Sequence, residues 1–277
     1  MTILIQSKSL AKLCTLVGAA VMVMAMFASA ASAKEPAAGY TQFAGCPSPE
    51  EKGGLSTCIR SEVTGGFLQA GKKTIPIENP LTISGGLNEE LEGFSFNSKG
   101  GLSKVKQKVP GGVFGLTGLT WLLELLGSEA LTLYAVTELA GTPTEFNFNT
   151  VTLPIKVHLE NSVLGKNCYL GSSSNPIVLH LTTGTTSPPP PNKPITGTEP
   201  EFSIDAKEIV HFNNGTYVDN SFSVPGASGC VLTLFGFIPI SLNNLVNEQA
   251  GLPSAAGKNS TVEDFDTELV ARELVYP

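Results

Sequence analysis

The chain has 277 residues, of which 42% are hydrophobic and only 15% are charged, so it is long enough and apolar enough to build one sizeable core. That composition excludes a disordered chain, which would be poor in apolar residues. The formal net charge of −7 and the lack of a basic cluster argue against nucleic acid or an anionic lipid surface as a partner.

The first 33 residues have the layout of an export signal. Lys8 and Lys12 form a short basic region, an apolar stretch runs from Leu13 to Phe27, and small residues follow it. The apolar stretch is too short to span a bilayer comfortably, and the small side chains suit a signal peptidase. We therefore expect residues 1–33 to be a signal peptide and residues 34–277 to be a single secreted, mostly β domain, located outside the cell or in the cell envelope. Two of the 17 basic residues belong to the signal, which leaves 15 against 24 acidic residues and a net charge of −9.

Four cysteines remain after residue 33, an even number that is typical of two disulfide bonds in an exported chain. Four cysteines allow three pairings. We favour Cys46–Cys58 together with Cys168–Cys230, because the first two lie close together in one loop-like stretch. On loop-entropy grounds these bonds stabilise the fold by about 3 and about 4 kcal/mol. A zinc site and a nucleophilic thiol are the alternatives, but the chain has neither CxxC spacing nor a companion histidine cluster.

Alternating apolar residues predict that most of the domain is β-sheet. The alternation is strictest in Val151–Glu160, where apolar side chains occupy every second position. Pro154 in this stretch favours an edge strand, because proline has no N–H to donate to a ladder. Pro176–Thr182 predicts a second strand, joined to the first by a long hairpin-type connection. Shorter candidates, bounded by Gly, Pro and Asn, are Thr74–Ile77, Leu81–Ser84, Phe94–Phe96, Leu131–Leu139, Phe146–Phe148, Ile209–Phe212, Thr216–Val218 and Cys230–Ile240.

Helix is scarce in the sequence. Leu116–Leu126, which is followed by Gly127, is the best helical candidate, and Glu263–Glu273 is ambiguous between a short helix and a final strand. The four consecutive prolines at 188–191 predict a stiff exposed connector between strands. The pattern as a whole predicts an all-β fold, either an antiparallel β-sandwich or a barrel-like domain, with one or two short helices and two disulfides.

No motif in the sequence names a reaction, and we expect no catalytic residue, cofactor or metal site. His158 and His180 fall on the polar faces of two predicted strands, where with Glu160 they would form a zinc site or an acid–base pair if the strands bring them together. We favour ordinary surface histidines. Two acidic clusters are interpreted as solvated charged edges in preference to a glycosidase pair or a calcium site. They are Glu89, Glu90 and Glu92, and Glu263, Asp264, Asp266 and Glu268.

The segment Phe235–Ile240 is strongly apolar. We expect a core strand there; the alternative is an exposed hairpin that enters a membrane or contacts a partner. After residue 33 the sequence offers no clean run of 18 apolar residues, so no transmembrane helix is expected in the mature chain.

Several blocks of the chain resemble one family. The longest is VHLENSVLGKNCYLGSSSNPIVLHLTTGTTSPPPPNKPITG, residues 157–197, which is similar to a block shared by exported actinobacterial proteins of unknown role. Residues 220–230 and 251–259 resemble the same group, as do residues 74–86 and 134–141. The resemblance implies an extracellular location and no catalytic residue.

These observations favour a non-enzymatic β domain that acts by binding an extracellular or cell-envelope partner, or as a structural component. The leading alternative is a secreted hydrolase, which would place His158, His180 or an acidic pair in a concave pocket. A third hypothesis is an oligomeric pore built from amphipathic strands. A pore needs about ten alternating residues in each strand, and only Val151–Glu160 approaches that length.

Overall fold

The computed structural model describes residues 34–91, 93–117, 132–147 and 149–277. The predicted signal peptide at 1–33 lies outside the described residues, as do Glu92, Phe148 and the part of the predicted helix after Thr117. The described chain is mostly β-strand, and the predicted all-β fold class is confirmed.

Fifteen strands join in one antiparallel sheet, and two further strands form a separate hairpin. The strands are β1 Thr57–Ala70, β2 Lys73–Pro76, β3 Leu81–Leu87, β4 Phe94–Ser95, β5 Gly101–Leu102, β6 Lys106–Lys108, β7 Tyr134–Leu139, β8 Thr144–Asn147, β9 Thr150–Glu160, β10 Tyr169–Leu170, β11 Ile177–Thr182, β12 Glu201–Ile204, β13 Val210–Asp219, β14 Ala227–Ser228, β15 Val231–Leu234, β16 Ile238–Ser241 and β17 Ser260–Ala271. The helices are a 3-10 turn Thr41–Phe43, α1 Gly112–Thr117, α2 Asn243–Ala250 and α3 Arg272–Val275.

The sheet curls into a barrel-like shape. Its main path runs β14, β10, β9, β11, β13, β17, β1, β3 and β4, while β7 and β8 pair with the other edge of β9. Strand β1 pairs with β17 along one edge, and along the other with β3 first and then with β2. A bulge between Val63 and Gly65 separates the two halves of β1, and bulges of this kind bend a strand at the corner of a curved sheet.

The Gln107 side chain connects the two ends of the curled sheet. Its amide oxygen accepts hydrogen bonds from the backbone N–H groups of Glu78 and Asn79, both at 3.0 Å. Its amide nitrogen donates to the Asn79 carbonyl at 2.6 Å. Gln107 lies in β6, which pairs with β7, whereas Glu78 and Asn79 follow β2, which pairs with β1. A buried side chain therefore joins β2 to β6 in place of a backbone ladder.

The apolar core has an inner part and an outer part. The inner part lies within the curled sheet and extends to α1 and α2, where Val113, Leu133 and Val246 have no exposed surface. On the outer face of β1 and β17, Cys58 and Val270 lie beneath the 3-10 turn and α3. The covered outer face shows that the N-terminal segment and α3 form a second layer.

Both predicted disulfides are confirmed. Cys46 and Cys58 are bonded across a sequence separation of 12, and Cys168 and Cys230 across a separation of 62. All four residues are fully buried. The first bond fastens the N-terminal segment to β1, and the second joins the chain just before β10 to the chain just before β15.

The prediction that Pro154 marks an edge strand is wrong. Strand β9 pairs with β10 and β11 on one side and with β7 and β8 on the other. The Pro154 carbonyl accepts a hydrogen bond from Ala140 N at 2.9 Å, where the chain leaves β7. Because the N and O atoms of a strand residue point to the same side, the missing N–H faces the break between β7 and β8, where the ladder needs no donor.

The structure decides the predictions made for three other segments. The ambiguous stretch Glu263–Glu273 belongs to β17 as far as Ala271, and α3 follows. The proline-rich segment connects β11 to β12. The expected core strand at Phe235–Ile240 is wrong, because these residues form the exposed end of the β15–β16 hairpin. None of the helices in the described parts of the chain reaches the length and apolar character needed to span a membrane.

The hydrogen bonds of the Gln107 side chain predict that its removal destabilises the protein. The Gln107→Ala variant should lower the free energy of unfolding by about 1–2 kcal/mol, because two backbone N–H groups and one carbonyl lose their partner. Denaturant unfolding measures this. Lys108→Ala, an exposed change on the same strand, should leave stability within about 0.5 kcal/mol of the parent. Equal losses for both variants would contradict the role of Gln107.

The lengths of the loops that the two disulfides close predict unequal losses of stability when each bond is removed. Replacing Cys168 and Cys230 with alanine should cost about 4 kcal/mol, and replacing Cys46 and Cys58 about 3 kcal/mol, because the longer loop gains more freedom in the unfolded chain. Denaturant midpoints of the two double variants, each compared with the oxidised parent, test the order. A larger loss for the Cys46/Cys58 pair would show that loop length does not set the order.

Candidate ligand-binding cavity

An apolar cavity lies inside the curled sheet. Strands from all around the sheet contribute its lining, and the cavity volume is about 120 Å³. The main apolar lining residues are Ile59, Val63, Leu68, Ile75, Leu81, Ile83, Leu87, Val151, Leu153, Ile155, Leu179, Leu181, Phe265 and Leu269. An apolar cavity with a volume of this order can hold a small apolar molecule.

Several inner side chains keep accessible surface although protein encloses them. Val63, Ile83 and Leu269 point inward and are only partly buried, whereas Cys58 and Val270 on the outer face are almost completely buried. In a close-packed interior, the inward-pointing side chains would be more buried than those on the outer face. The accessible surface of the inner residues therefore faces the cavity, which the side chains do not fill.

The lining of the cavity extends to the chain next to β12, where Pro200 and Phe212 belong to it. Phe202 of β12 pairs with Phe212 of β13, and the centroids of their rings are 5.6 Å apart. Directly paired residues share one face of a sheet, and Phe212 lines the cavity. Phe202 is nevertheless 63% exposed, and its neighbour on the same face, Ile204, is 58% exposed. The apolar lining thus continues from the cavity to the protein surface at β12.

One carboxyl group, Glu263 of β17, faces the cavity from its lining. The pKa of Glu263 is raised to about 7, mainly by burial; the hydrogen bond from Thr261 lowers it, and the nearby Asp219 carboxylate adds a smaller rise. Asp219 is itself fully buried and accepts hydrogen bonds from the N–H groups of His180 and Ser221 and from the Ser221 hydroxyl.

The hydrogen bonds of Thr261 fit a protonated Glu263. The Thr261 hydroxyl lies 2.9 Å from the Phe67 carbonyl and 3.1 Å from Glu263 Oε1. A hydroxyl has a single proton, so it donates to only one of these two acceptors at a time. When Glu263 is protonated, it donates to Thr261, and Thr261 donates to Phe67. All three groups are then satisfied with no charge in the apolar chamber.

Tyr217 and Phe265 form the wall next to Glu263. Their rings stack with centroids 3.9 Å apart, and Tyr217 pairs directly with Glu263 across β13 and β17. Gly215 makes room for the Phe265 ring, because a Cβ atom at this position would lie 2.4 Å from Phe265 Cζ. Burial, with a smaller contribution from Glu263, raises the pKa of the Tyr217 hydroxyl, so this group stays neutral. The wall combines aromatic surface with one hydroxyl and one carboxyl.

The two histidines considered for chemistry do not meet. His180 pairs with Thr152, and His158 lies six positions further along β9, a distance of about 20 Å. His158 stacks on Tyr169 and lies 2.9 Å from the Lys166 carbonyl, while His180 Nδ1 lies 3.1 Å from the Thr152 hydroxyl. Both histidines lie outside the cavity lining.

The acidic clusters divide between surface and cavity. Glu89, Glu90 and Asp264 are exposed, as expected for a charged edge. Glu268 is on the outer face, 3.9 Å from Arg60. Glu263 is the exception, and its assignment to the solvated edge is wrong. The alternation of β17 contained the signal: Glu263 is in phase with Phe265 and Leu269, so it belongs to their inner face.

Comparisons with protein-family models, with curated proteins and with solved structures found no match to the chain. In the described residues, no three His, Cys, Asp or Glu side chains are grouped so as to hold a metal ion. The cavity itself is therefore the feature from which a function can be argued.

The raised pKa of Glu263 predicts how stability depends on pH. Below about pH 4.5 the group is protonated in the folded and unfolded chain alike. As the pH rises from about 4.5 to about 7, the unfolded chain releases the proton more readily, so stability falls, and above about pH 7 the loss is complete. Glu263→Gln stays neutral and should exceed the parent by about 1–3 kcal/mol at pH 8, with no difference near pH 4.

Denaturant unfolding at a series of pH values measures this difference. Asp264→Asn, at the exposed neighbouring position of β17, is the matched control and should show no such gain at pH 8. A Glu263→Gln variant that is no more stable than the parent at pH 8 would mean that the carboxyl is well solvated.

Proposed function

We propose that the chain is an exported, non-enzymatic binding protein that holds a small apolar molecule inside its barrel-like sheet. The observation that carries the proposal is the unfilled apolar cavity, whose lining continues to the surface through Phe212 and Phe202. The signal-like layout of residues 1–33 and the two buried disulfides support export, because disulfides persist in oxidising surroundings.

The arrangement of polar groups favours binding over hydrolysis. A hydrolase needs an acid and a base within reach of one substrate atom. The described lining contains a single carboxyl group, Glu263, and the candidate partners His158 and His180 lie elsewhere. The apolar inner face also favours a binding chamber over a pore, whose water-filled interior would be polar.

The charge of the cavity favours a ligand without an acidic group. Glu263 and Tyr217 provide hydrogen-bonding groups, and the described lining contains no basic residue. A ligand carboxylate would bring a negative charge into an apolar chamber that has no basic residue to pair with it, and it would repel Glu263 wherever that group is ionised. A hydroxyl or amine group would instead form a hydrogen bond with the Glu263 carboxyl. We infer that the ligand has an apolar body and a neutral or basic polar end.

A dye-displacement titration tests the proposal. The oxidised protein should bind a neutral apolar dye such as phenylnaphthylamine. Dodecanol and dodecylamine should displace the dye at concentrations at least about tenfold lower than dodecanoate, since the acid must lose a charge or repel Glu263. In Glu263→Gln, dodecanoate should bind more tightly and the discrimination should shrink.

A cavity-filling variant provides the structural control. Leu153→Trp adds a large side chain to the lining and should weaken dye binding at least about tenfold by occupying ligand space. Thr74→Trp, on the exposed face of β2 beside the lining residue Ile75, should leave dye binding unchanged. The proposal fails if the parent does not bind the dye, or if Leu153→Trp binds it as tightly as the parent.

A further inference from the structure

The β15–β16 hairpin has an exposed aromatic tip. Phe235 and Phe237 are 84% and 75% exposed, more than any other large apolar side chain among the described residues. Gly236 lies between them, and a Cβ atom placed there would have no neighbour within 4 Å. Two phenylalanines at a protruding tip are unfavourable in water and mark a surface that contacts something apolar.

The base of the hairpin is firmly attached. The Cys168–Cys230 disulfide holds the residue before β15, and the Cys230 carbonyl accepts a hydrogen bond from Leu242 N at 2.8 Å. Val231 N donates to the Leu164 carbonyl at 2.9 Å. Leu232 is buried against the inner core. The body of the protein therefore holds the tip outward on a fixed stem.

The sequence on both sides of the tip contains no charged residue. Residues 220–247 contain no Asp, Glu, Lys or Arg, in a chain that is otherwise acidic. This segment therefore offers no ion pair to a protein partner. An uncharged apolar tip instead matches the interface of a lipid bilayer, where a charged side chain would be costly.

The outer edge of the hairpin is a poor template for an added strand. Pro239 lies in the middle of β16 and pairs with Thr233. A proline fits in a strand only where its missing N–H faces away from the ladder, so the open edge of β16 lacks a donor at this position. That lack disfavours strand addition by a second copy or by an extended peptide.

We propose that the hairpin tip inserts into a lipid bilayer without net surface charge and buries Phe235 and Phe237 among the acyl chains. The insertion is shallow, about 5–10 Å, as for other interfacial anchors. It depends on apolar contact alone, since the tip offers no cation to anionic headgroups. This contact goes beyond the proposed ligand binding and does not require an occupied cavity.

Flotation with phosphatidylcholine vesicles tests the insertion. The oxidised parent protein should float with the vesicles, and high salt should not release it, because no charge pair is involved. The double variant Phe235→Ser, Phe237→Ser should bind at least about tenfold more weakly, since two buried aromatic side chains are lost. Phe96→Ser removes a phenylalanine that is 46% exposed outside the hairpin and should bind like the parent.

A depth measurement keeps the test independent of the double variant. The chain contains one tryptophan, so the spectrum of the parent is subtracted from that of Phe235→Trp. The added fluorescence should shift to shorter wavelength with vesicles and be quenched by brominated acyl chains. The proposal is overturned if the parent does not float, if the double variant floats equally well, or if the Phe235→Trp signal is not quenched. A parent that dimerises through the tip and ignores vesicles would show that the partner is a second copy.

Discussion

The bend in β1 is the constraint on which the rest of the structure depends. This strand has 14 residues and pairs with β17 on one edge while it changes partner from β3 to β2 on the other. At the bend, Gly66 has a φ of 110°, and a Cβ atom there would lie 2.0 Å from the Val262 carbonyl oxygen. Only glycine fits this backbone. Without the bend the two halves of the sheet would not face each other, and Gln107 could not join β6 to the chain after β2.

Curvature also explains why the interior holds both a cavity and a carboxyl group. The curled sheet turns every second side chain of β9, β11 and β17 toward one space, which their apolar side chains line without filling. Glu263 shares that inner face, and its neutral form is favoured there at a cost in stability above its pKa. An enclosed carboxyl that weakens the fold is typical of a functional site, where stability is given up for binding or chemistry.

Local patterns predicted the strands because alternation depends on nearby residues, and the disulfides followed from the even number of cysteines and the short spacing of Cys46 and Cys58. The alternation in β9 and β11 holds in the structure, with Ile155, Leu179 and Leu181 buried. The position of Pro154 could not be judged locally, because the break between β7 and β8 that accommodates it depends on the tertiary pairing. The apolar residues around Phe235 show the same limit. Composition identifies an apolar segment, but only the fold shows whether anything covers it.

The candidate site was predictable in part. The phase of Glu263 with Phe265 and Leu269 was visible in the sequence, although four acidic residues within six positions suggested a surface edge instead. The continuation of the apolar lining to the surface was not visible in the sequence, because it depends on the pairing of Phe202 with Phe212 and on the exposed position of β12. A cavity results from how several strands close on each other, and no single segment encodes it.

Among the strands that the structure describes, β12 pairs with β13 alone, and all four of its residues are exposed. Its departure would break one short ladder and uncover little buried surface, while the continuous pairing of β13, β17 and β1 would persist. A ligand of the proposed kind that entered beside β12 would therefore have to displace only one peripheral ladder, and the disulfide-linked framework would stay intact.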